Sequence, residues 1–145
     1  MTQENPLIGT WRLVSWEVVE PDGSVRLAYG DRPVGFLTYT PEGFMSAEIM
    51  DADRGQSDPG FPAEWAVRQT LPDADRARAY SSYLSYCGPY TFDGEGSVIH
   101  HVRAGLIPGW LGTEQKRRFT FEGGRLIIGR GTAQVLTWER WRAHG

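Results

Sequence analysis

The chain has 145 residues, of which 40% are hydrophobic and 23% charged, a composition typical of one globular domain over residues 1–145. Its formal net charge of −3 argues against nucleic acid or an anionic membrane as the main partner. The single cysteine, Cys87, excludes an intrachain disulfide and a metal site built from several cysteines. Because neither a secretory signal nor a bilayer-spanning apolar stretch is recognisable, we expect a cytoplasmic location.

Aromatic residues and turn-forming residues dominate the pattern along the chain. Six Trp, six Tyr and six Phe stand among eighteen glycines and nine prolines, which is typical of short strands joined by tight turns. We predict about nine strands, and eight to ten antiparallel strands in a chain this short favour a closed β-barrel. In chain order they are Thr10–Val19, Val25–Leu27, Val34–Thr40, Phe44–Met50, Tyr90–Asp93, Ser97–Arg103, Glu114–Glu122, Arg125–Gly129 and Ala133–Arg142.

The strand pattern is interrupted by a segment with helical features. The stretches Ala63–Thr70 and Asp73–Tyr86 lack alternation, and Pro72 suits the first turn of a helix. In the second stretch Tyr80, Tyr83 and Leu84 have i, i+3, i+4 spacing, which predicts one apolar stripe. We therefore expect a helical insert over about 62–86 that covers one opening of the barrel.

Two adjacent histidines lie on the predicted strand Ser97–Arg103. Side chains alternate across a strand, so His100 and His101 point to opposite faces. His100 shares its face with two valines, and we expect that face to look inward. The divergent pair is unsuited to sharing a metal, and no third His or Cys is spaced to help, so we expect no metal and no other cofactor.

The same alternation on neighbouring strands places further polar side chains in the interior. The residues expected there are Tyr39, Tyr90, His100, Gln115 and Arg117, joined from the opposite wall by Glu17 or Glu48. A buried arginine is costly unless it is paired. Arg117 therefore either meets an internal carboxylate, Glu17 or Glu48, or awaits an anionic ligand. Tyr83 on the insert and Trp110 in the apolar loop Leu106–Gly112 are further candidates for ligand contact.

An ordered series of motifs resembles the small bacterial and fungal lipocalin-like domain family over essentially the whole length. The resembling stretches are Leu7–Ser15, Val34–Ser46, Tyr86–Tyr90, Val98–Val102, Pro108–Gly112, Gln115–Phe119 and Trp138–Arg140. The resemblance implies a barrel with an internal cavity for small apolar molecules. Through the lipocalin/calycin pattern of Gly9 and Trp11, it also implies that Trp11 closes one end beneath Arg140.

Three functions are compatible with these residues. The first is binding of a small apolar or amphipathic molecule, with Arg117 and His100 anchoring an acidic or carbonyl head group. The second is a cofactor-independent cyclase, isomerase or dehydratase acting on a ketone- or enol-bearing metabolite such as a polyketide. In it His100 would be the general acid or base, while Arg117 and Tyr90 would stabilise an oxyanion. The third is a homodimer that buries the loop Leu106–Leu111.

Overall fold

The computed structural model describes residues 4–54 and 63–143, and within them the chain forms ten strands and one α-helix. The helix α1 (Asp73–Ser81) follows a 3₁₀ segment, Trp65–Thr70, and a second 3₁₀ turn covers Pro108–Trp110. The strands are β1 (Gly9–Val19), β2 (Val25–Leu27), β3 (Val34–Tyr39), β4 (Phe44–Met50), β5 (Tyr83–Phe92), β6 (Ser97–His101), β7 (Ala104–Gly105), β8 (Glu114–Glu122), β9 (Arg125–Ile128) and β10 (Gln134–Arg140). No helix in these ranges is long and apolar enough to cross a bilayer.

The strands form a closed antiparallel barrel, as the sequence predicts. They are hydrogen-bonded in the order β10-β9-β8-β6-β5-β4-β3-β1, and β1 pairs again with β10 to complete the ring. The short strands β2 and β7 add to the outside of this ring by pairing with β1 and β5. Closure leaves the long strands without open edges, so their inward side chains face one shared interior.

Alternation on β6 and β8 is confirmed by burial. On β6, Val98 and His100 are buried and His101 is only half-buried. On β8, Gln115 and Arg117 take the half-buried positions between exposed neighbours. His100 pairs with Gln115 across β6 and β8, and with Tyr90 across β5 and β6, so three adjacent strands contribute to one row.

The helical insert is shorter than predicted. Its helix ends at Ser81, and the chain from Tyr83 onward is strand β5, which pairs with β4 from Met50 to Phe44. The prediction of helix over Tyr83–Tyr86 is therefore wrong, because cross-strand pairing outweighs the helical spacing of Tyr80, Tyr83 and Leu84. Pro62, where we expected the insert to begin, lies outside the described residues.

A bulge in β1 changes which side chains face inward. The pairing with β10 shifts between Leu13 and Ser15, so one extra residue stands on β1 at this point. Trp11 and Leu13 are buried before the bulge, and Trp16 lines the interior after it. The prediction that Glu17 faces inward is therefore wrong, because the bulge reverses the alternation in the second half of the strand.

One end of the barrel is closed by a stacked pair from its first and last strands. The Arg140 guanidinium lies 4.0 Å from the centre of the Trp11 ring, and the indole N–H donates to the Leu7 carbonyl at 2.8 Å. Arg140 also donates to the carbonyls of Ile8 and Pro6 at 2.5 and 2.7 Å. Gly9 has a φ of +124°, and a Cβ there would lie 2.7 Å from Arg140 Nη1, so glycine is required beside the guanidinium.

Replacing Arg140→Met removes this cation–π contact and both hydrogen bonds. We expect a loss of about 1–2 kcal/mol in the free energy of unfolding, since Arg140 is only partly shielded from water. Urea unfolding followed by tryptophan fluorescence measures the change. Arg142→Met, at an exposed position two residues away, is the matched control and should unfold like the wild type. Equal losses in the two variants would contradict a closing role for Arg140.

Candidate functional site

The barrel encloses a cavity of about 780 Å³. This volume lies within the range typical of small-molecule sites, and the wall is mainly aromatic and aliphatic. The large apolar side chains on the wall include Trp16, Leu37, Ile49, Trp110, Leu136 and Trp138. Tyr80 and Ser81, at the end of α1, also line it, so the helix contributes to the cavity wall, and its role as a cover stays a prediction.

His100 stands between two tyrosine hydroxyls. Its Nε2 lies 2.7 Å from Tyr39 Oη, and its Nδ1 lies 2.8 Å from Tyr86 Oη. The imidazole is 2% exposed and borders the cavity together with Tyr86, whereas Tyr39 is not among the lining residues. Tyr39 therefore supports His100 from the core side, and Tyr86 stands on the cavity side.

Burial keeps the His100 imidazole neutral. Desolvation, together with the positive charge of Arg117, lowers the pKa of His100 from 6.5 to about 3. Burial likewise raises the pKa values of Tyr39 and Tyr86, and the charge of Arg117 acts in the opposite direction on both hydroxyls. At neutral pH the three side chains form an uncharged hydrogen-bonded chain beside one cation.

Arg117 is held in place by a chain of neutral groups. Its Nη2 donates to Gln115 Oε1 at 3.3 Å, and Gln115 Nε2 donates to Thr113 Oγ1 at 2.8 Å. The Thr113 hydroxyl in turn donates to the Trp110 carbonyl at 2.6 Å. The charge of the nearby Arg117 guanidinium also lowers the pKa of the Tyr86 hydroxyl, against the larger, raising effect of burial. The guanidinium is thus oriented on the wall by a hydrogen bond to an uncharged partner.

No carboxylate from residues 4–54 or 63–143 lines the cavity or forms a salt bridge with Arg117. Glu17 points away after the bulge in β1 and is not a lining residue. Glu48 is exposed on β4, where it accepts hydrogen bonds from Tyr83 and Ser85. The prediction that either glutamate joins the interior is wrong for Glu48 as well, because Met45, Ala47 and Ile49 take the inward positions of that strand.

Tyr90 shares the inward face but does not reach the cavity. Its hydroxyl donates to the Thr40 carbonyl at 2.7 Å and accepts from Asn5 Nδ2 at 3.1 Å. Its ring packs edge-on against Tyr39, with 4.9 Å between ring centres. Our expectation that Tyr90 joins His100 and Arg117 is therefore wrong. Alternation identifies the face of a side chain, but not its height along the barrel.

Tyr86 is the residue that sequence reasoning misses. We assigned it to the helical insert, whereas it lies on β5 and is buried against His100. The signal was present, since Leu84, Tyr86, Gly88, Tyr90 and Phe92 alternate as on a single strand. Trp138, which we named only as part of a motif, also borders the cavity, and its buried indole N–H has no partner in the described residues.

The two remaining aromatic candidates, Tyr83 and Trp110, both line the cavity. The Tyr83 hydroxyl is directed to Glu48, and burial together with this carboxylate raises the pKa of Tyr83 to about 12. The Trp110 ring packs edge-on against Tyr86, with 5.3 Å between ring centres. The loop that carries Trp110 contributes to the cavity wall, and this position accounts for its apolar side chains without a second copy of the chain. The homodimer therefore stays a prediction.

In the described parts of the chain, no group of three or more His, Cys, Asp or Glu side chains is arranged to hold a metal ion. His101 is bonded to Thr91 and lies 3.4 Å from Glu114 on the outer face, away from the cavity.

Comparison with known proteins supports the fold. The model of the lipocalin-like domain family matches residues 8–143. The crystal structure of a lipocalin-like protein from Bacteroides uniformis ATCC 8492 is 13% identical over 94% of this chain and 100% of that chain, with a TM-score of 0.51. At this identity the likeness concerns the fold alone. No curated protein matches the sequence.

The low pKa of His100 predicts a pH-dependent stability. The folded state keeps His100 neutral down to about pH 3, whereas the unfolded chain takes up a proton near pH 6.5. Acidification therefore favours the unfolded state, and stability falls by at most about 1.4 kcal/mol per pH unit from this one group. Urea unfolding between pH 7.5 and 4.5 should show a shallower pH dependence for His100→Gln than for the wild type.

His101→Gln is the matched control for this experiment, since it removes the neighbouring imidazole from the outer face and leaves His100 in place. We expect its free energy of unfolding to fall with acid as steeply as that of the wild type. Identical slopes for His100→Gln and the wild type would show that the buried imidazole takes up its proton as readily as in the unfolded chain.

Proposed function

Because the chain belongs to the lipocalin-like domain family and encloses a cavity, we propose that it binds a small amphipathic molecule inside the barrel. The apolar body of the ligand would lie against the aromatic and aliphatic wall. An acidic or carbonyl head group would lie against Arg117, with His100 behind it. The observation that carries this proposal is a half-buried arginine on the cavity wall that meets no carboxylate in the described residues.

The electrostatic argument concerns local contact rather than long-range attraction. With a net charge of −3 the protein as a whole does not attract anions. Arg117 has lost part of its hydration, and neutral partners return only part of that free energy. An anionic oxygen in contact with the guanidinium would supply a charge-assisted hydrogen bond, worth about 1.5–3 kcal/mol.

A matched series of twelve-carbon ligands tests the proposal by isothermal titration calorimetry. We expect dodecanoate to bind at least about tenfold more tightly than dodecanol, since about 1.4 kcal/mol corresponds to a factor of ten. Dodecylammonium should bind most weakly, because Arg117 repels its charge. Arg117→Met should reduce the difference between dodecanoate and dodecanol to less than about threefold.

Arg103→Met is the control, because Arg103 is exposed and does not line the cavity. It should bind the three ligands like the wild type. Equal wild-type affinities for dodecanoate and dodecylammonium would contradict a head-group site at Arg117, and the absence of all binding would contradict a cavity for extended apolar chains.

An enzyme without a cofactor is the second candidate, and the observation that favours it is the chain of Tyr39, His100 and Tyr86 beside Arg117. Such a chain can hold or pass a proton near a substrate oxygen. Since Tyr86 stands between His100 Nδ1 and the cavity, His100 would act through that hydroxyl. If the protein catalyses enolisation, it exchanges the α-hydrogens of an aryl ketone such as 1-tetralone for deuterium in D₂O. We expect the rate of this exchange to be higher with the wild type than with His100→Gln.

A further inference from the structure

The two tyrosines around His100 determine where its single proton lies. A neutral imidazole has one N–H donor and one bare nitrogen, while each tyrosine hydroxyl can donate once and accept. Either Nε2 carries the proton and donates to Tyr39, or Nδ1 carries it and donates to Tyr86. In both arrangements one tyrosine donates to the imidazole, and the other keeps a proton for another acceptor.

The burial of Tyr39 decides between these arrangements. Its side chain is 1% exposed and does not line the cavity. Within residues 4–54 and 63–143, its hydroxyl has no hydrogen-bond partner other than His100 Nε2. If Nε2 carried the proton, the Tyr39 hydrogen would be buried without an acceptor, which is strongly unfavourable. Tyr39 therefore donates to Nε2, and the imidazole proton lies on Nδ1.

The hydrogen of the Tyr86 hydroxyl is then left for the cavity. His100 Nδ1–H donates to Tyr86 Oη at 2.8 Å. With this donor on its oxygen, the Tyr86 hydroxyl directs its own hydrogen elsewhere, and its side chain borders the cavity, as does Arg117. A ligand in the cavity can therefore accept the hydrogen of the Tyr86 hydroxyl.

The hydrogen bonds of Gln115 likewise leave donors, rather than acceptors, free for a ligand. Thr113 uses its hydrogen on the Trp110 carbonyl, so its oxygen must accept from Gln115 Nε2. That requirement turns the amide oxygen of Gln115 towards Arg117, where it is already occupied. Arg117 and Tyr86 therefore offer hydrogen-bond donors to the ligand, while the nearby side-chain acceptors already have partners.

We infer that Tyr86 is a ligand-binding residue whose hydroxyl hydrogen, directed by the Nδ1–H tautomer of His100, bonds the head-group oxygen that also contacts Arg117. The head group is thus an oxygen acceptor without hydrogens of its own, such as a carboxylate or the enolate of a ketone. His100 is a positioning residue in this arrangement. The ligand class rests on the proposed function, whereas the tautomer is a property of the free protein.

The tautomer is measured on the ligand-free full-length chain labelled with ¹⁵N-histidine, by long-range ¹H–¹⁵N correlation at pH 7. We expect the His100 signals to show a protonated Nδ1 and a bare Nε2, and His101→Gln identifies which signals belong to His100. In Tyr39→Phe the donor to Nε2 is lost, so the bare Nε2 signal should shift. A protonated Nε2 in the wild type would overturn the inference, even if dodecanoate binds as proposed.

The contact is measured by dodecanoate titration of Tyr86→Phe, which keeps the ring and loses the hydroxyl. We expect roughly tenfold weaker binding, the equivalent of one hydrogen bond. Tyr90→Phe is the matched control, since Tyr90 does not line the cavity and its hydroxyl donates to the Thr40 carbonyl, and its affinity should be unchanged. Equal affinities of Tyr86→Phe and the wild type would overturn the inference. If the wild type itself does not bind dodecanoate, the proposed function is contradicted. The tautomer experiment on the ligand-free chain still tests where the His100 proton lies.

Discussion

Pairing of the first strand with the last is the contact on which the rest of the structure depends. It joins β1 to β10 over Trp11–Val18 and turns an open sheet into a barrel. The stacked pair of Trp11 and Arg140 then closes one end, at the place where only glycine fits as residue 9. Because a closed barrel has no edges, a polar side chain that points inward must find its hydrogen-bond partners inside or meet a ligand.

The inward polar groups meet this constraint in two ways. Tyr90 and Tyr39 have neutral partners, as buried polar groups normally do. Arg117 differs, since it donates to the uncharged Gln115 amide and no described carboxylate offsets its charge. The depressed pKa of His100 follows from the same arrangement, because burial and the nearby guanidinium both disfavour a second positive charge.

The sequence predicts most of the strands because most core-facing positions are apolar and the turns are marked by glycine and proline. On β3, β6 and β8 alternation places Tyr39, His100 and Arg117 on the inner face, as the structure has them. Alternation fails for Glu17 because a single extra residue in β1 reverses the two faces. No local signal near Val14 marks that bulge, since it depends on how two distant strands fit together.

The candidate site is less predictable than the fold, for two physical reasons. Tyr86 was missed because Tyr80 and Tyr83 before it have helical spacing. Only the pairing with β4 shows that the chain from Tyr83 onward is a strand. Tyr90 was misplaced because two inward residues on one strand lie at different heights. Tyr90 lies four positions after Tyr86 on β5, and it is the Tyr86 hydroxyl that reaches His100 Nδ1. Sequence alternation carries information on faces, whereas a binding site also depends on height along the barrel.

Selectivity in the proposed site would come from the carboxylates that the described lining residues lack. An amine head group would meet the guanidinium of Arg117 and find no carboxylate among the described lining residues. An alcohol could accept a hydrogen bond from Tyr86 but would leave the positive charge uncompensated. A carboxylate or an enolate meets both conditions, and its donors are already oriented by Gln115 and His100, so little ordering free energy is lost on binding. In the proposed complex the apolar wall would favour the ligand body, and the fixed donors would select its head group.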